Sequence, residues 1–387
     1  MNKLKTISKD WRKIQFIDCI SLDSLKKLNG LKKGEYRNKG NYPILDQGQK
    51  YISGYTNDEE LLNKKYPAIL FGDHTRIVKY IDFPFVVGAD GTKVFQARKE
   101  NDSKFLYYSL LNLDIPNTGY NRHFKFVKEA EILLPPLSEQ KEIAKILLTV
   151  DKDIEKTDQI IKKTEKLKKG LMQKLFREMG SNDKRLKVEN RDWRRVRLGE
   201  ICEINPKTFI EMSDNEKVGF ISMADVTNNG LIKNIKERSY KEVKKGYTKF
   251  KKGDVLFAKI TPCMENGKGG FCVDDKYKFY FGSTEFHIIR CTDKILPEFI
   301  YQLINSSIFR LIAKRQMKGS AGQQRVPKEF LQKFSFLLPG FKEQQKNIEI
   351  FSNIDNKIEI NKQVKNKLTQ LKKGLMQDLL SGRVRVK

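Results

Sequence analysis

Two stretches of this chain are copies of one another, and this repeat restricts the possible folds more than any other feature. The first copy spans Leu133 to Phe176 and the second spans Leu337 to Leu380. They align without a gap, so each residue of the first corresponds to the residue 204 positions later. Both end with the identical run LKKGLMQ and a few further residues. A self-similarity of this length indicates a duplicated architecture.

Each copy has the sequence pattern of one long helix. Proline stands near the start of both copies, at Pro135-Pro136 and at Pro339, and proline can stand before a helix but not within one. Apolar residues then recur every three or four positions, as in the seam of a coiled coil. The predicted seam residues are Ile143, Leu147, Val150, Ile154, Ile161, Leu171 and Leu175 in the first helix and Phe351, Ile354, Ile358, Leu368, Leu375 and Leu379 in the second.

Neither helix can bury its seam alone, so we predict that the two copies pair with each other as an antiparallel coiled coil. Polar residues interrupt the first seam at Thr157, Thr164 and Lys168. Two unrelated core helices would also explain a seam. They would not explain identity outside it, such as the dipeptide Glu139-Gln140, which recurs as Glu343-Gln344.

The repeat extends beyond the helices, because the segment before each one has the same order of features. The sequence DWRKI opens the first segment and DWRRV, from Asp192, opens the second. Strand-like runs, glycine-rich loops and one short helix follow in both, the helix over Ser103 to Leu113 and over Phe299 to Leu311. We therefore predict an α+β chain in which two mixed α/β modules alternate with two long helices. The segments are a first module (1–136), a central helix (137–180), a second module (181–340) and a C-terminal helix (341–387), with a linker over 180–183.

The composition is typical of a globular protein. The chain has 387 residues, enough for two or three domains, and 39% of them are hydrophobic. No apolar run approaches the length of a bilayer span, and the N-terminus has no signal-peptide core, so we expect a soluble, cytoplasmic protein with no membrane segment. Five cysteines without a CxxC pair and three scattered histidines predict reduced thiols and no metal site.

The charge balance favours a polyanionic partner. Lysine and arginine exceed aspartate and glutamate by 76 to 48, a formal net charge of +28. A lysine-rich genome could produce part of this excess. Most of it falls on the two modules, however, while the central helix is nearly balanced.

The sequence contains no catalytic constellation that we can identify. The run Asn266-Gly267-Lys268-Gly269 lacks the upstream glycine and the hydroxyl residue of a phosphate-binding loop. The run Asn205-Pro206-Lys207-Thr208 differs from the Asn-Pro-Pro-aromatic sequence by which methyltransferases hold an adenine amino group. We therefore expect a protein without enzymatic activity and without a cofactor of its own.

The loops that close each module suit contact with double-stranded DNA. Arginine and lysine match guanine edges and phosphates, and asparagine and glutamine match adenine. Any one such residue is more often a solvated loop residue, and a histidine is as often structural, so the prediction concerns the loops as sets. The candidates are Gln47, Gln49, His74, Arg76, Lys93, Asn121, Arg122 and His123 in the first module and Lys259, Thr261, Glu265, Asn266, Lys268, Ser320, Gln323, Gln324 and Arg325 in the second.

Over almost its whole length the chain resembles the specificity subunits of type I restriction–modification systems. The resemblance rests on LLPPLSEQKEIA with LKKGLMQKLF, on LLPGFKEQQKNI with LKKGLMQDLLSGRVRV, and on four runs of the second module: FISMADV, GDVLFAKITPCMENGK, FGSTEFH and MKGSAGQQRVP. The sequence of the first module resembles the family less clearly than that of the second.

The resemblance implies a non-catalytic subunit of an adenine-methylating, ATP-dependent restriction complex. In that family two target-recognition domains contact the two halves of a split DNA site. The helices hold these domains apart and dock two methyltransferase subunits, and restriction subunits with motor activity join later. S-adenosylmethionine, ATP and Mg²⁺ would then be bound by the partner subunits.

Two other classes of protein remain open from the sequence. One is a DNA methyltransferase or nuclease with unrecognised motifs, which would bind S-adenosylmethionine as an isolated chain. The other is an architectural DNA- or RNA-binding protein that uses the coiled coil for self-association. Co-purification with a methyltransferase subunit would argue against the second class.

Overall fold

The structure is a computed structural model, and it describes residues 10–21, 30–180, 193–228, 230–320 and 322–386. The chain divides into two compact units. The first consists of Met1–Gln159 and Lys362–Lys387, and the second consists of Ile160–Asn361. Each unit therefore contains one module and about half of each long helix.

The first module is built from short strands around two short helices. Its strands are β1 (Arg12–Gln15), β2 (Ile20–Ser21), β3 (Tyr42–Leu45), β4 (Gly54–Thr56), β5 (Ala68–Gly72), β6 (Val78–Ile81), β7 (Val86–Val87), β8 (Thr92–Ala97) and β9 (Glu131–Leu134). Its helices are α1 (Ser103–Asn112) and α2 (Phe124–Glu129), and the long helix α3 (Leu137–Gly180) follows.

Three sheets organise these strands. One has the order β2-β8-β5-β6 and is antiparallel throughout, and a second has the order β4-β3-β7 with β3 and β7 parallel. The third pairs β1 with β9, so that Arg12 lies opposite Leu134 directly before α3. The alternation of buried and partly buried residues in β6 shows why these short segments form strands, since only one face meets the core.

The second module has corresponding elements. Its strands are β10 (Arg194–Arg197), β11 (Cys202–Ile204), β12 (Lys217–Ile221), β13 (Lys236–Ser239), β14 (Thr248–Phe250), β15 (Val255–Ala258), β16 (Gly269–Phe271), β17 (Tyr280–Gly282), β18 (Phe286–Cys291) and β19 (Ser335–Leu338). Its helices are α4 (Leu198–Ile201), α5 (Tyr240–Val243), α6 (Pro297–Asn305), α7 (Ser307–Arg315) and α8 (Lys328–Lys333), followed by the long helix α9 (Phe341–Leu380).

The two modules share one strand topology. The sheet β11-β18-β15-β16 corresponds to β2-β8-β5-β6, and β13-β12-β17-β14 corresponds to β4-β3-β7 with one added strand. In the second module β10 pairs with β19 before α9, as β1 pairs with β9 before α3. The predicted α+β architecture of alternating modules and helices is confirmed.

One prediction about the second module is wrong. The single helix expected over Phe299 to Leu311 is two helices, α6 and α7, separated at Ser306. Ser306 has extended backbone angles, and its hydroxyl accepts a hydrogen bond from the Phe309 amide at 3.2 Å. A serine cap of this kind starts a new helix. Of the predicted linker, residues 181–183 lie outside the described part of the chain, as does Asp192.

In the first unit the long helices run antiparallel. Charged residues pair across them from Glu139 with Arg385 at 2.7 Å to Asp151 with Lys372 at 2.6 Å, and then to Asp158 with Lys365. Residue numbers rise along α3 as those of its partners fall, which is the signature of an antiparallel pair.

The second unit continues the same pattern. Lys168 of α3 bonds Asp355 of α9 at 2.6 Å, and Met172 and Phe176 share a core cluster with Phe351. The pair Lys168–Asp355 corresponds residue for residue to the pair Lys372–Asp151 of the first unit, because each residue has its copy 204 positions away. The polar interruption at Lys168 is thus an interhelical ion pair, whereas the hydroxyls of Thr157 and Thr164 donate to carbonyls of α3 itself.

The predicted seam residues lie on the paired faces, with one shift. Ile143, Leu147, Ile161, Phe351, Ile358 and Leu379 are buried, and Val150, Ile154, Leu171, Leu175, Ile354, Leu368 and Leu375 are partly buried. Towards the C-terminus of each helix, residues one position beyond the heptad pattern are buried as well, namely Met172, Phe176, Met376 and Leu380. A straight helix drifts by about 20° per heptad relative to a 3.5-residue repeat, which explains the shift.

A glutamate and a glutamine attach each module to the start of its long helix. The indole of Trp11 donates to Glu139 at 3.0 Å, and that of Trp193 donates to Glu343 at 2.6 Å. The following glutamines bind the N-cap residues of the modules' helices. Gln140 accepts from the backbone amide of Asp102 before α1 at 2.8 Å, and Gln344 accepts from that of Leu296 before α6 at 3.0 Å. This explains why the dipeptide is repeated although it lies outside the seam.

Within the described residues, no helix combines the length and apolar character that crossing a bilayer would need. All five cysteines are free thiols.

Candidate nucleic-acid interface

Three loops of the first module meet around Gln47. The Gln47 amide nitrogen donates to the Asp90 carbonyl at 2.7 Å, and its amide oxygen accepts from the His74 backbone at 3.0 Å. Its own carbonyl accepts from the Thr75 hydroxyl at 2.8 Å. The loops after β3, β5 and β7 therefore form one surface, and Gln47 holds them together from within it. Gln49, two residues further on, is exposed.

His123 does not lie on this surface, which corrects its assignment as a DNA-contacting candidate. Its side chain is fully buried, at 0% exposure. Its Nδ1 lies 2.9 Å from the Asp73 carbonyl and its Nε2 lies 3.3 Å from the Thr118 hydroxyl. The Asp73 carboxylate also accepts from the Phe124 amide at 2.8 Å and so caps α2. His123 supports the loop from inside.

The residues just before His123 are exposed. Asn121 and Arg122 lie at the surface. The ring of Tyr120, 85% exposed, stacks on His74 with centroids 4.6 Å apart. Sequence analysis did not select Tyr120, although an exposed aromatic ring beside arginine and histidine is suited to contact a base or sugar.

Arg76 and Lys93 are half-buried at the edges of the same surface. Arg76 has a positive φ of 60° and donates to the Ile115 carbonyl at 3.0 Å, so its guanidinium is partly used inside the module. Gly91, between the two, has a φ of +69°, and a Cβ there would lie 2.5 Å from the His74 ring. Only glycine fits this close approach.

The second module gathers the corresponding loops. The Lys259 amide donates to the Glu285 carbonyl at 2.9 Å, and the Lys259 carbonyl accepts from Val326 at 2.9 Å. Thr261 donates to the Gln324 carbonyl through its amide at 3.0 Å. The loops after β15, after β17 and before α8 are thereby one hydrogen-bonded platform.

The remaining candidates of this module differ in exposure and in whether their side chains already bind other residues of the module. Asn266, Ser320 and Gln323 are exposed, and Gln324 is half-buried. Glu265 is paired with Lys314 at 2.7 Å. Lys268 reaches inward and donates to the Met223 carbonyl at 2.8 Å, which fixes a neighbouring loop.

Two buried charged residues that sequence analysis missed support the loops. Arg310 donates to the Met264 carbonyl at 2.9 Å and to the Lys268 carbonyl at 3.2 Å, and burial lowers its pKa to about 10. Asp46 accepts from the Gly48 amide at 2.8 Å in the first module. A charged residue is usually exposed, so the sequence around Arg310 or Asp46 does not indicate that its side chain is buried.

Arg122 and Arg325 occupy equivalent positions, each at the end of a run of the form Gly-x-amide-Arg that begins at Gly119 or at Gly322. Arg122 stands two residues before α2, which leads into β9 and α3, and Arg325 stands three residues before α8, which leads into β19 and α9. They differ in their surroundings. Arg122 is exposed, whereas Arg325 forms a two-point ion pair with Glu285 at 2.9 Å.

Among the exposed apolar residues of the long helices, which include Phe341, Ile350 and Ile360, two pairs are copies of each other. These are Val364 and Leu371 on α9 in the first unit and Ile160 and Leu167 on α3 in the second. The two pairs correspond at the offset of 204, and each spans one heptad. Among the described residues, no group of histidine, cysteine and acidic side chains could hold a metal ion.

Known proteins with similar sequences cover the whole chain or half of it. The chain is 27% identical over 406 aligned residues to the MjaVIII specificity subunit of Methanocaldococcus jannaschii, covering 98% of this chain and 94% of that one. It is 35% identical over 197 residues to the EcoAI specificity subunit of Escherichia coli. That match covers half of this chain and 33% of the longer EcoAI subunit, and the match to the EcoEI subunit covers the same share.

Solved structures show the same fold. The crystal structure of a type I restriction–modification S subunit from M. genitalium superposes with a TM-score of 0.62 at 20% identity, over 97% of this chain and 98% of that one. A chain from a study of type I complex assembly and conformational transition gives 0.56 at 13% identity, over 97% and 99%.

The family model of the type I restriction modification DNA specificity domain matches this chain twice, at residues 9–166 and 190–370. Each match comprises one module and most of the long helix that follows it. The chain therefore belongs to the family of type I restriction–modification specificity subunits.

Proposed function

We propose that this chain is the DNA-recognition subunit of a type I restriction–modification complex and binds a DNA site made of two separated halves. The observation that carries the proposal is the duplicated module. Two modules of one topology each gather arginine, lysine and amide side chains on a platform of loops, and each is anchored to a long helix by the same Glu-Gln pair. Two such surfaces suit two half-sites.

The charge supports binding to duplex DNA. The net charge of +28 reflects an excess of lysine and arginine, which can contact DNA phosphates. Phosphate contacts provide affinity without sequence preference. The loop platforms provide the amide and guanidinium groups that distinguish bases. We expect the exposed residues Gln49, Asn121, Arg122, Asn266 and Gln323 to make most of these contacts.

We propose that two methyltransferase subunits dock on the helices, one for each exposed apolar pair. The pair Ile160 and Leu167 and its copy Val364 and Leu371 offer the same side-chain classes at the same spacing. A duplicated docking surface suits two copies of one partner. S-adenosylmethionine would be bound by those partners, and ATP and Mg²⁺ by restriction subunits where these join. All of these components would act together in the cytoplasm.

The test is to reconstitute the chain with its cognate methyltransferase subunit and to map methylated adenines by single-molecule sequencing. We expect one split motif with a fixed spacer, and no methylation by the chain alone. A chain that methylates or cleaves DNA without partners would show that it is an enzyme. A complex that binds DNA but methylates no defined motif would contradict the proposal of sequence recognition.

A further inference from the structure

Arg325 is held by Glu285 along one side of its guanidinium group. Its Nε and Nη2 donate to the two carboxylate oxygens of Glu285, both at 2.9 Å, and its Nη1 donates to the Gln323 carbonyl at 3.2 Å. An arginine has five N–H donors, so one remains on each Nη nitrogen. The Arg325 side chain is 43% exposed and that of Glu285 is 25% exposed.

The backbone beneath this pair is fixed on both sides. The Arg325 amide donates to the Lys318 carbonyl at 2.8 Å, and Lys318 donates back to the Arg325 carbonyl at 2.9 Å. On the other side Ile260 forms a bridge with Arg325, and the Lys259 amide donates to the Glu285 carbonyl at 2.9 Å. Both members of the ion pair are thus attached to the loop that begins at Lys259.

Glu285 stays ionised at neutral pH. The hydrogen bonds from Arg325 hold the pKa of Glu285 below its usual value, although partial burial opposes this effect. The carboxylate therefore remains a two-point acceptor under the conditions in which DNA is bound.

We propose that Arg325 recognises a guanine in the half-site of the second module and that Glu285 is the positioning residue that presents it. This inference rests on the proposed function. Guanine offers two acceptors, O6 and N7, in the major groove, and they match the two N–H groups left on Nη1 and Nη2. Since Glu285 and Gln323 already fix the side chain, little rotamer freedom is lost when DNA binds.

The first module provides the contrast. Glu285 directly precedes β18, and the residue that directly precedes the equivalent strand β8 is Gly91. Glycine carries no carboxylate, and the approach of the His74 ring leaves no room for one. Among the residues that the structure describes, Arg122 therefore has no partner equivalent to Glu285, and the inference applies to the second half-site alone.

The experiment uses the complex reconstituted with methyltransferase subunits and duplexes that carry its mapped motif. Each guanine of the motif is replaced in turn by 7-deazaguanine, which lacks the N7 acceptor, and affinity is measured by competition. For the wild-type complex we expect one position at which this replacement weakens binding, within a range of about 5- to 150-fold. The change is in the DNA, so it does not depend on how a variant folds.

Three variants then test whether Arg325, positioned by Glu285, contacts the guanine at this position. Arg325→Lys keeps the charge but loses the fork, so the 7-deazaguanine penalty should disappear while affinity for random DNA is retained. Glu285→Gln should reduce the penalty several-fold without weakening binding to random DNA. The matched control is Asp275→Asn, which removes one carboxylate charge from the exposed pair with Lys252 at 2.9 Å and should keep the full penalty.

Two results would overturn the inference while the split motif stands. One is that no guanine is sensitive to 7-deazaguanine, and the other is that Glu285→Gln keeps the full penalty. Equal weakening of specific and random DNA by Glu285→Gln, with a lower melting temperature, would mean that the pair is only structural. Absence of a split motif would instead refute the proposed function, so the two failures are distinguishable.

Discussion

At the scale of single residues, Glu139 joins three parts of the first unit. It accepts from the Trp11 indole at 3.0 Å and from the Arg385 guanidinium at 2.7 and 2.8 Å, and its side chain is 6% exposed. Burial raises the pKa of Glu139, but the hydrogen bonds from Arg385, Trp11 and the Val386 amide outweigh burial, so this pKa lies below its usual value.

We expect Glu139→Gln to lower the free energy of unfolding by about 1–2 kcal/mol at neutral pH. Because the folded pKa lies below the unfolded one, the wild-type contribution is present above the unfolded value of about 4.3 and is lost as pH falls through the folded value. The difference between wild type and variant should therefore shrink in acid. Urea unfolding at pH 7 and at a series of lower pH values measures it.

The matched control is Glu142→Gln on the same helix, whose ion pair with Lys145 is exposed at 3.5 Å. Exposed pairs contribute little, so we expect a change within about 0.5 kcal/mol. A Glu139→Gln effect that is the same at all pH values would show that the lost interaction does not involve the charge.

The contrast between His123 and Arg122 shows what sequence could predict of the candidate surface. The structure brings the predicted loops of each module together, and the sequence indicated these loops because glycine, amide and basic residues cluster between strand-like runs. Which side chain points outward could not be predicted. His123 is buried because Asp73, fifty residues earlier, lies beside it in the folded module, and Glu285 lies forty residues before Arg325 in the sequence.

At the scale of elements, the long helices are joined by the corresponding pairs Lys168–Asp355 and Lys372–Asp151. These lysines occupy seam positions where an apolar residue would be expected, and an antiparallel partner places an aspartate opposite each. The heptad pattern predicted the helices and their paired faces. It could not predict the drift to Met172 and Met376, which depends on how far the helices supercoil.

We expect the reversal Asp355→Lys to destabilise the second unit by about 1 kcal/mol, since it places two ammonium groups together in a partly buried seam. The exchange Lys168→Asp with Asp355→Lys should restore most of the loss. A double-mutant cycle by urea unfolding gives the coupling free energy between Lys168 and Asp355. The exposed pair Lys156–Asp153 on α3, at 3.8 Å, is the control and should couple by less than about 0.5 kcal/mol. Equal coupling at both places would mean that the seam pair has no special role.

At the scale of the whole molecule, the proposed function makes the length of α3 and α9 a determinant of the spacer between half-sites. Asp158 and Lys365 form an ion pair, so they lie opposite each other on the two helices. Seven residues inserted after Asp158 and seven before Lys365 keep the heptad pattern and add about 10 Å to both helices.

We expect this matched insertion to lengthen the methylated motif's spacer by about 3 base pairs and to leave both half-sites unchanged. Methylation mapping of the reconstituted complex measures this directly. An insertion in α3 alone is the control, because it shifts the seam out of register and should reduce stability instead. An unchanged spacer in an active complex with the matched insertion would show that the helices do not determine the distance.

The division of the chain into units has a consequence for its synthesis. The core of the first module includes Met376, Leu379 and Leu380 of α9, together with Trp11 and Ile143. At about 5–20 residues per second, the ribosome needs roughly 10 to 50 s to add the residues after Gln159 that complete this core. During that interval Ile143 and its neighbours have no α9 to cover them. The emerging protein is thus exposed to aggregation and to chaperone binding until α9 is made, although most of the first module is synthesised first.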